Sequence, residues 1–176
     1  MIAQPAARPL ARRTLMQERP AMTGTVAATL ARLGIVLPAA PAPAANYVPY
    51  VVHGGLVYVS GQVSQGPDGL MLGRLGENYS VDQGQAAARA CALSLLAQLS
   101  AACGGDLDQV ARVVRLGGFV NSTPDFTDQP EVINGASNLM AEVFGPEVSP
   151  HARAAVGCAA LPRGVAVEVD GIFALR

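Results

Sequence analysis

The stretch HARAAVGCAALPRGVAVEVDGIFALR, residues 151–176, decides the fold. Its small and β-branched residues read as two strands joined by the turn Leu161-Pro162-Arg163-Gly164. Two charged groups, Arg153 and Glu168, interrupt the apolar runs. A hairpin centred on Pro162-Arg163 sets Gly157 opposite Glu168 and Arg153 opposite Ile172. Period two then places Arg153, Ala155, Gly157 and Ala159 on one face with Ala166, Glu168, Asp170 and Ile172. The other face carries Ala154, Val156, Cys158, Val165, Val167, Val169 and Phe173, and suits packing beneath helices. Both charges are therefore expected on the face away from the helices, about 13 Å apart at roughly 3.3 Å per residue. That separation is too long for a tight pair and suits the two ends of a small molecule, or partners from a neighbouring subunit. On residue types alone, an ion pair at an oligomer interface accounts for the two charges equally well. Arg is the natural carboxylate binder because its planar fork donates parallel hydrogen bonds. A partly desolvated Glu168 would have a raised pKa and could relay protons.

Working outward, 46–63 (NYVPYVVHGGLVYVSGQV) reads as a hairpin turning at Gly54-Gly55, with His53 a turn residue. Residues 64–78 are turn-rich, a loop holding a short strand or hairpin. Ser80 and Gln83 have capping-box spacing and open a long helix. Its stripe includes Ala88, Cys91, Leu95, Leu96 and Leu99, and Gly104-Gly105 ends it. Residues 109–122 form a strand with a glycine pair at Gly117-Gly118, where Arg112 and Arg115 are expected to solvate a strand end. A second helix starts near Thr127 or Asp128, with Pro130 in its first turn, and stops at Gly145-Pro146. The order is β-β-(β)-α-β-α-β-β, an α+β domain with two helices on one face of a mixed sheet.

Residues 23–45 read as a short helix, capped by Thr23 or Thr25, and a Pro/Ala-rich connector; 46–176 form the main domain. The first 22 residues hold several arginines and one acid, Glu18. They are read as a transit peptide or an overlong start before Met22; the missing apolar h-region favours the second.

With 176 residues, 51% hydrophobic and only 14% charged, the chain is too apolar for disorder and carries too little charge for an ordinary free-standing monomer. Oligomer interfaces are expected to cover part of the surface. A net charge of −1 gives no basic footprint for nucleic acid. Three cysteines without a CxxC, and two histidines, make no metal motif and fit a reducing cytoplasm. No apolar run is long enough for a membrane span.

The stretches 46–63, the helix from Ser80, RVVRLGGFVNSTPDF at 112–126, VINGASNLMAEVFG at 132–145 and the closing 151–173 together resemble the RidA/YjgF family of enamine/imine deaminases, also catalogued as endoribonuclease L-PSP-like. The last is the most specific: A-R, then A-x-L-P-x-G-V-x-V-E-V. The resemblance implies a chorismate-mutase-like fold assembled as a homotrimer with inter-subunit clefts. It implies that Arg153 clamps the substrate carboxylate, Glu168 activates water, and Tyr47, Ser60, Gly61 and Asn134 line the site. The implied reaction is hydrolysis of 2-enamine or 2-imine acids to 2-keto acids and ammonia, with no metal or organic cofactor. Many such deaminases carry a cysteine two residues after the arginine; here Ala155 stands there, which marks a divergent branch. The alternatives are a non-catalytic trimer that binds a small carboxylate and, less favoured without interleaved basic and aromatic residues, a ribonuclease.

Overall fold

A computed structural model describes residues 24–42 and 46–176. The extension read over 1–22 and the cap assigned to Thr23 lie outside the described residues. Among the described residues there are three α-helices: α1 (Gly24–Arg32), α2 (Val81–Ala102) and α3 (Gln129–Val148). The strands are β1 (Tyr50–His53), β2 (Leu56–Val63), β3 (Gln65–Gly66), β4 (Gly69–Leu70), β5 (Val110–Asn121), β6 (Ala152–Cys158) and β7 (Val167–Leu175). The main sheet has five strands in the order β1-β2-β7-β5-β6, and β3-β4 form a small separate hairpin. The sheet is mixed: β5 and β6 run parallel and every other neighbour is antiparallel.

Local chemistry explains the elements. Gly54 and Gly55 both have positive φ (59° and 75°), as a two-residue turn matching the twist of β1 and β2 requires. Ser80 and Gln83 make both capping-box bonds at the start of α2. Gly145, at φ 71°, leaves helical geometry and breaks the last turn from α3.

The closing segment departs from its sequence reading. β6 and β7 are not a hairpin, because β5 lies between them. Helix α3 carries the chain from the end of β5 back to its start, so β6 enters parallel to β5, as a β-α-β connection dictates. After β6 the chain swings wide. Val165 bridges Leu72, and the Ala166 N–H donates to the Met71 carbonyl before β7 enters between β2 and β5.

This topology corrects the assignment of faces. Helices α2 and α3 pack on one side of the sheet, over Val57, Val59, Leu116, Val120, Val167, Val169 and Phe173, all buried. Glu168, Asp170 and Ile172 do face away from them. Arg153 sits beside Leu116, which itself opposes Gly171, so Arg153 is on the helix side with Ala155 and Gly157. Ala154, Val156 and Cys158, expected beneath the helices, instead lie on the open side, where Val156 is 47% exposed. Arg153 and Glu168 therefore occupy opposite faces of the sheet.

Helix α1 belongs to the same core through Val26 and Leu30, and the segment after it adds Leu37. Thr25 does not cap it. Asp108, remote in sequence, takes that place, accepting from the Thr25 N–H (2.6 Å), the Val26 N–H (2.9 Å) and the Thr25 hydroxyl (2.9 Å). Desolvation pushes the Asp108 carboxyl upward, but the hydrogen bonds from Val26 and Thr25, with Arg176 nearby, outweigh it and hold the pKa below its ordinary value. Removing a helix cap of this kind costs about 0.5–2 kcal/mol. Asp108→Ala is expected to speed amide exchange across residues 24–32 selectively, with the sheet amides still protected. Uniform deprotection would show that α1 unfolds only with the whole domain.

Candidate functional site

Two groups of polar residues form, one around Glu168 and one around Arg153. The first surrounds a cavity of about 320 Å³ whose lining includes Tyr47, Gly61, Gln62, Gln98, Arg163 and Glu168. That is enough room for a small metabolite. Strand β2 slips register against β7 between Val59 and Gln62, so Ser60 and Gly61 form a bulge. A side chain at Gly61 would collide with the Glu168 carboxylate, so the glycine makes the space that the carboxylate occupies. The Ser60 hydroxyl is not part of the lining. It donates to the Val48 carbonyl (2.8 Å), and the Ser60 N–H donates to the Pro49 carbonyl (2.9 Å), tying the segment that carries Tyr47 to β2.

Glu168 is half-buried, and burial, followed by the nearby Asp170 charge, raises its pKa above the ordinary carboxylate value. Asp170 itself pairs with Arg115 at 3.1 Å on the open face, so Arg115 is an ion-pair partner and not a freely solvated strand end. The thiol of Cys91, fully buried under β7, contacts the Val167 carbonyl and is pushed well up by burial and by Glu168, which keeps it inert.

The second group is centred on Arg153. Its Nη1 donates to Asn134 Oδ1 (2.9 Å) and Ser137 Oγ (3.1 Å), and its Nη2 to the Pro130 carbonyl (3.2 Å). A guanidinium has five N–H donors, so these three bonds leave the Nε–H and one Nη2–H unused. Those two nitrogens are adjacent and match the two oxygens of a carboxylate. Helix α3 thus holds the fork from behind and leaves an edge open.

Sequence reasoning missed what holds Ser137. Its oxygen lies 3.1 Å from His151 Nε2, and His151 Nδ1 lies 2.6 Å from the Ser149 carbonyl. A carbonyl only accepts, so the proton of the neutral ring is assigned to Nδ1, and Nε2 accepts the Ser137 hydroxyl. The signal was present as spacing. Asn134 and Ser137 are i,i+3 on a helix, and His151 and Arg153 are i,i+2 on an extended segment, so each pair shares a side.

The structure therefore brings Tyr47, Gly61 and Glu168 together, with Ser60 supporting them from behind. It brings Arg153 and Asn134 together elsewhere. It does not unite the two groups within one chain.

A mixed sheet covered by helices on one side, with a bulged strand opening a cavity onto a carboxylate, defines an α+β domain of the chorismate-mutase-like class. Residues 27–169 match the profile of the "YjgF/chorismate mutase-like" family, to which an endoribonuclease activity is provisionally attached. The chain belongs to this family. It is 58% identical over 155 residues to Protein TCP17 of Trypanosoma cruzi, which spans 88% of this chain and 96% of that protein. Atu1372 of Agrobacterium tumefaciens superposes with a TM-score of 0.78 at 45% identity, covering 86% of this chain and 93% of that one. For the YjgF protein of E. coli the TM-score is 0.55 at 26% identity, covering 78% and 94%. The chain is thus more similar to Atu1372 than to E. coli YjgF.

Proposed function

We propose that the protein hydrolyses reactive 2-imino and 2-enamino acids to 2-keto acids and ammonia, at sites shared between subunits of a homotrimer in the cytoplasm. The observation carrying this reading is the pairing of complementary half-sites on opposite faces of one chain. One offers a cation with two unused parallel donors. The other offers a desolvated carboxyl over a small cavity. A substrate carboxylate seated on Arg153 of one subunit would present its C=N bond to Glu168 of the next. The ionised Glu168 takes a proton from water, the water oxygen adds to the imine carbon, and the nitrogen leaves as ammonia once it has gained protons. The three cysteines are free, which fits a reducing compartment, and no helix among the described residues is long and apolar enough to cross a membrane.

Assembly is supported by the open face of the sheet. Val51, Tyr58 and Val156 are 48%, 41% and 47% exposed there, an apolar surface that a lone domain leaves to water. The test is ammonia and keto-acid release from imino acids generated in situ, with the mass of the assembly measured by light scattering. A trimer that accelerates release, and loses this with Glu168→Gln and with Arg153→Ala, supports the reading. A trimer that leaves the spontaneous rate unchanged sinks it. Retained binding of a keto acid would then favour the alternative of a non-catalytic carboxylate-binding trimer, for which Arg153 alone is needed.

Ser137 and His151 act through Arg153 as positioning residues. Losing one neutral hydrogen bond behind the fork costs roughly 0.5–1.5 kcal/mol. Ser137→Ala is therefore expected to raise KM roughly three- to ten-fold with kcat little changed. His151→Gln keeps an acceptor for the Ser137 hydroxyl and is expected to recover more of the affinity than His151→Ala. Equal losses in the two His151 variants would argue against this role.

A further inference from the structure

The loop before Glu168 carries a cation without a function so far. Arg163 lines the same cavity as Glu168 and Tyr47, and among the described residues it is the only cationic one in that lining. It is also the only non-glycine residue with positive φ among the described residues, at 58°. A left-handed backbone at a residue with a long side chain costs roughly 1–2 kcal/mol, and glycine would remove that cost. The loop holds the conformation firmly. The Gly164 N–H donates to the Leu161 carbonyl (3.1 Å), the Val165 N–H to the Pro162 carbonyl (3.3 Å), and the Gly73 N–H to the Gly164 carbonyl (3.3 Å). Strain held at one residue on the rim of a cavity is a reason to ask what its side chain does.

The guanidinium of Arg163 has no hydrogen bond or ion pair among the described residues, where the ion pairs are Arg74–Glu77, Arg89–Glu142 and Arg115–Asp170. Nor does it neutralise Glu168, whose carboxyl responds to burial and to the Asp170 charge. The cavity therefore holds a carboxyl kept for chemistry and, apart from it, an unpaired cation.

We propose that Arg163 binds a second anionic group on the substrate, so that the site favours imino acids bearing an acidic side chain over those with apolar side chains. This rests on the deaminase reading. Arg153 of one subunit takes the 2-carboxylate, which a monocarboxylate and a dicarboxylate both possess. Only the dicarboxylate has a further group to satisfy Arg163, which lines the Glu168 cavity of the next subunit. A charge-assisted bidentate contact at such a site changes affinity by roughly ten- to a hundred-fold.

The experiment compares 2-imino acids generated in situ from glutamate and aspartate with those from leucine and methionine, each with wild type and Arg163→Gly. Glycine suits the left-handed backbone, so this variant keeps the loop, and thermal melting with light scattering verifies the fold. The expected result is a higher kcat/KM for the acidic substrates in wild type, and an acidic-to-apolar ratio that falls ten- to a hundred-fold in the variant. Calorimetry with 2-oxoglutarate against 2-oxobutyrate reads the same preference without turnover. If imines are hydrolysed with equal ratios in the two proteins, the substrate-class inference is overturned and the deaminase reading stands. If no imine is hydrolysed but 2-oxoglutarate binds through Arg163, the deaminase reading falls and the anion subsite stands. Absence of both hydrolysis and Arg163-dependent binding overturns both.

Discussion

Glu168→Gln is expected to lower kcat for imine hydrolysis by about 10²–10⁴-fold, the range for removing a general base, and to leave KM and assembly near wild type. The amide keeps the size and most hydrogen-bonding capacity of the side chain, so the packing of Gly61 against it survives. The same substitution acts on stability in the opposite direction. Burial, then Asp170, raises the Glu168 pKa in the folded chain. The folded state therefore binds this proton more tightly than the unfolded one. The associated stability is fully present below the unfolded carboxylate pKa and is lost as pH rises through the raised folded value. At neutral pH the ionised carboxylate thus works against the fold, and Glu168→Gln is expected to melt higher than wild type there, with the difference shrinking on acidification. Rate follows the ionised form, so wild-type kcat climbs with pH through the same raised value. Melting curves and rate profiles over one pH series check both halves, and a variant that is both fully active and no more stable would remove Glu168 from the mechanism.

The local grammar of the chain was readable and its long-range pairing was not. The capping box at Ser80 and Gln83, the turn at Gly54-Gly55 and the two faces of β7 all follow from interactions within a few residues. In β7 the alternation is strong, because Val167, Val169 and Phe173 contrast with Glu168 and Asp170. In β6 the contrast misleads: the face with Ala155 and Gly157 carries the charged Arg153, whereas Ala154, Val156 and Cys158 are apolar yet lie on the open side. Period two says which residues go together but leaves open which way they point. The assumed hairpin supplied that direction wrongly, because β5 enters between the two strands only through the return path of α3. The cap on α1 was hidden for the same reason, since Asp108 lies 83 residues from Thr25. The candidate site shows both limits. Its residue types and the Ser60-Gly61 element were visible as a motif, whereas the bulge at that element and the placement of Arg153 and Glu168 on opposite faces depended on strand pairing.

That opposition makes Arg153 the sharper test. Arg153→Ala removes two charge-assisted donors, each worth roughly 1.5–3 kcal/mol. The expected loss in kcat/KM is about 10²–10⁴-fold. Arg153→Lys keeps the charge but cannot present parallel donors to the substrate while also bonding Asn134, Ser137 and the Pro130 carbonyl, so it recovers little of this. Mixing then separates a shared site from one built within a single chain. Arg153→Ala subunits retain the Glu168 half-site, and Glu168→Gln subunits retain the Arg153 half-site. Co-assembled in equal amounts, two variants that are each inactive would regain roughly one quarter of wild-type sites, the fraction of interfaces at which both intact halves meet. A site contained in one chain regains none, because every subunit in the mixture carries one defect. Activity that appears only after the two proteins are unfolded and refolded together would establish that neighbouring subunits complete the cleft. Its absence, in mixed trimers verified by mass, would end the inter-subunit reading and leave Arg153 and Glu168 as separate features of two faces.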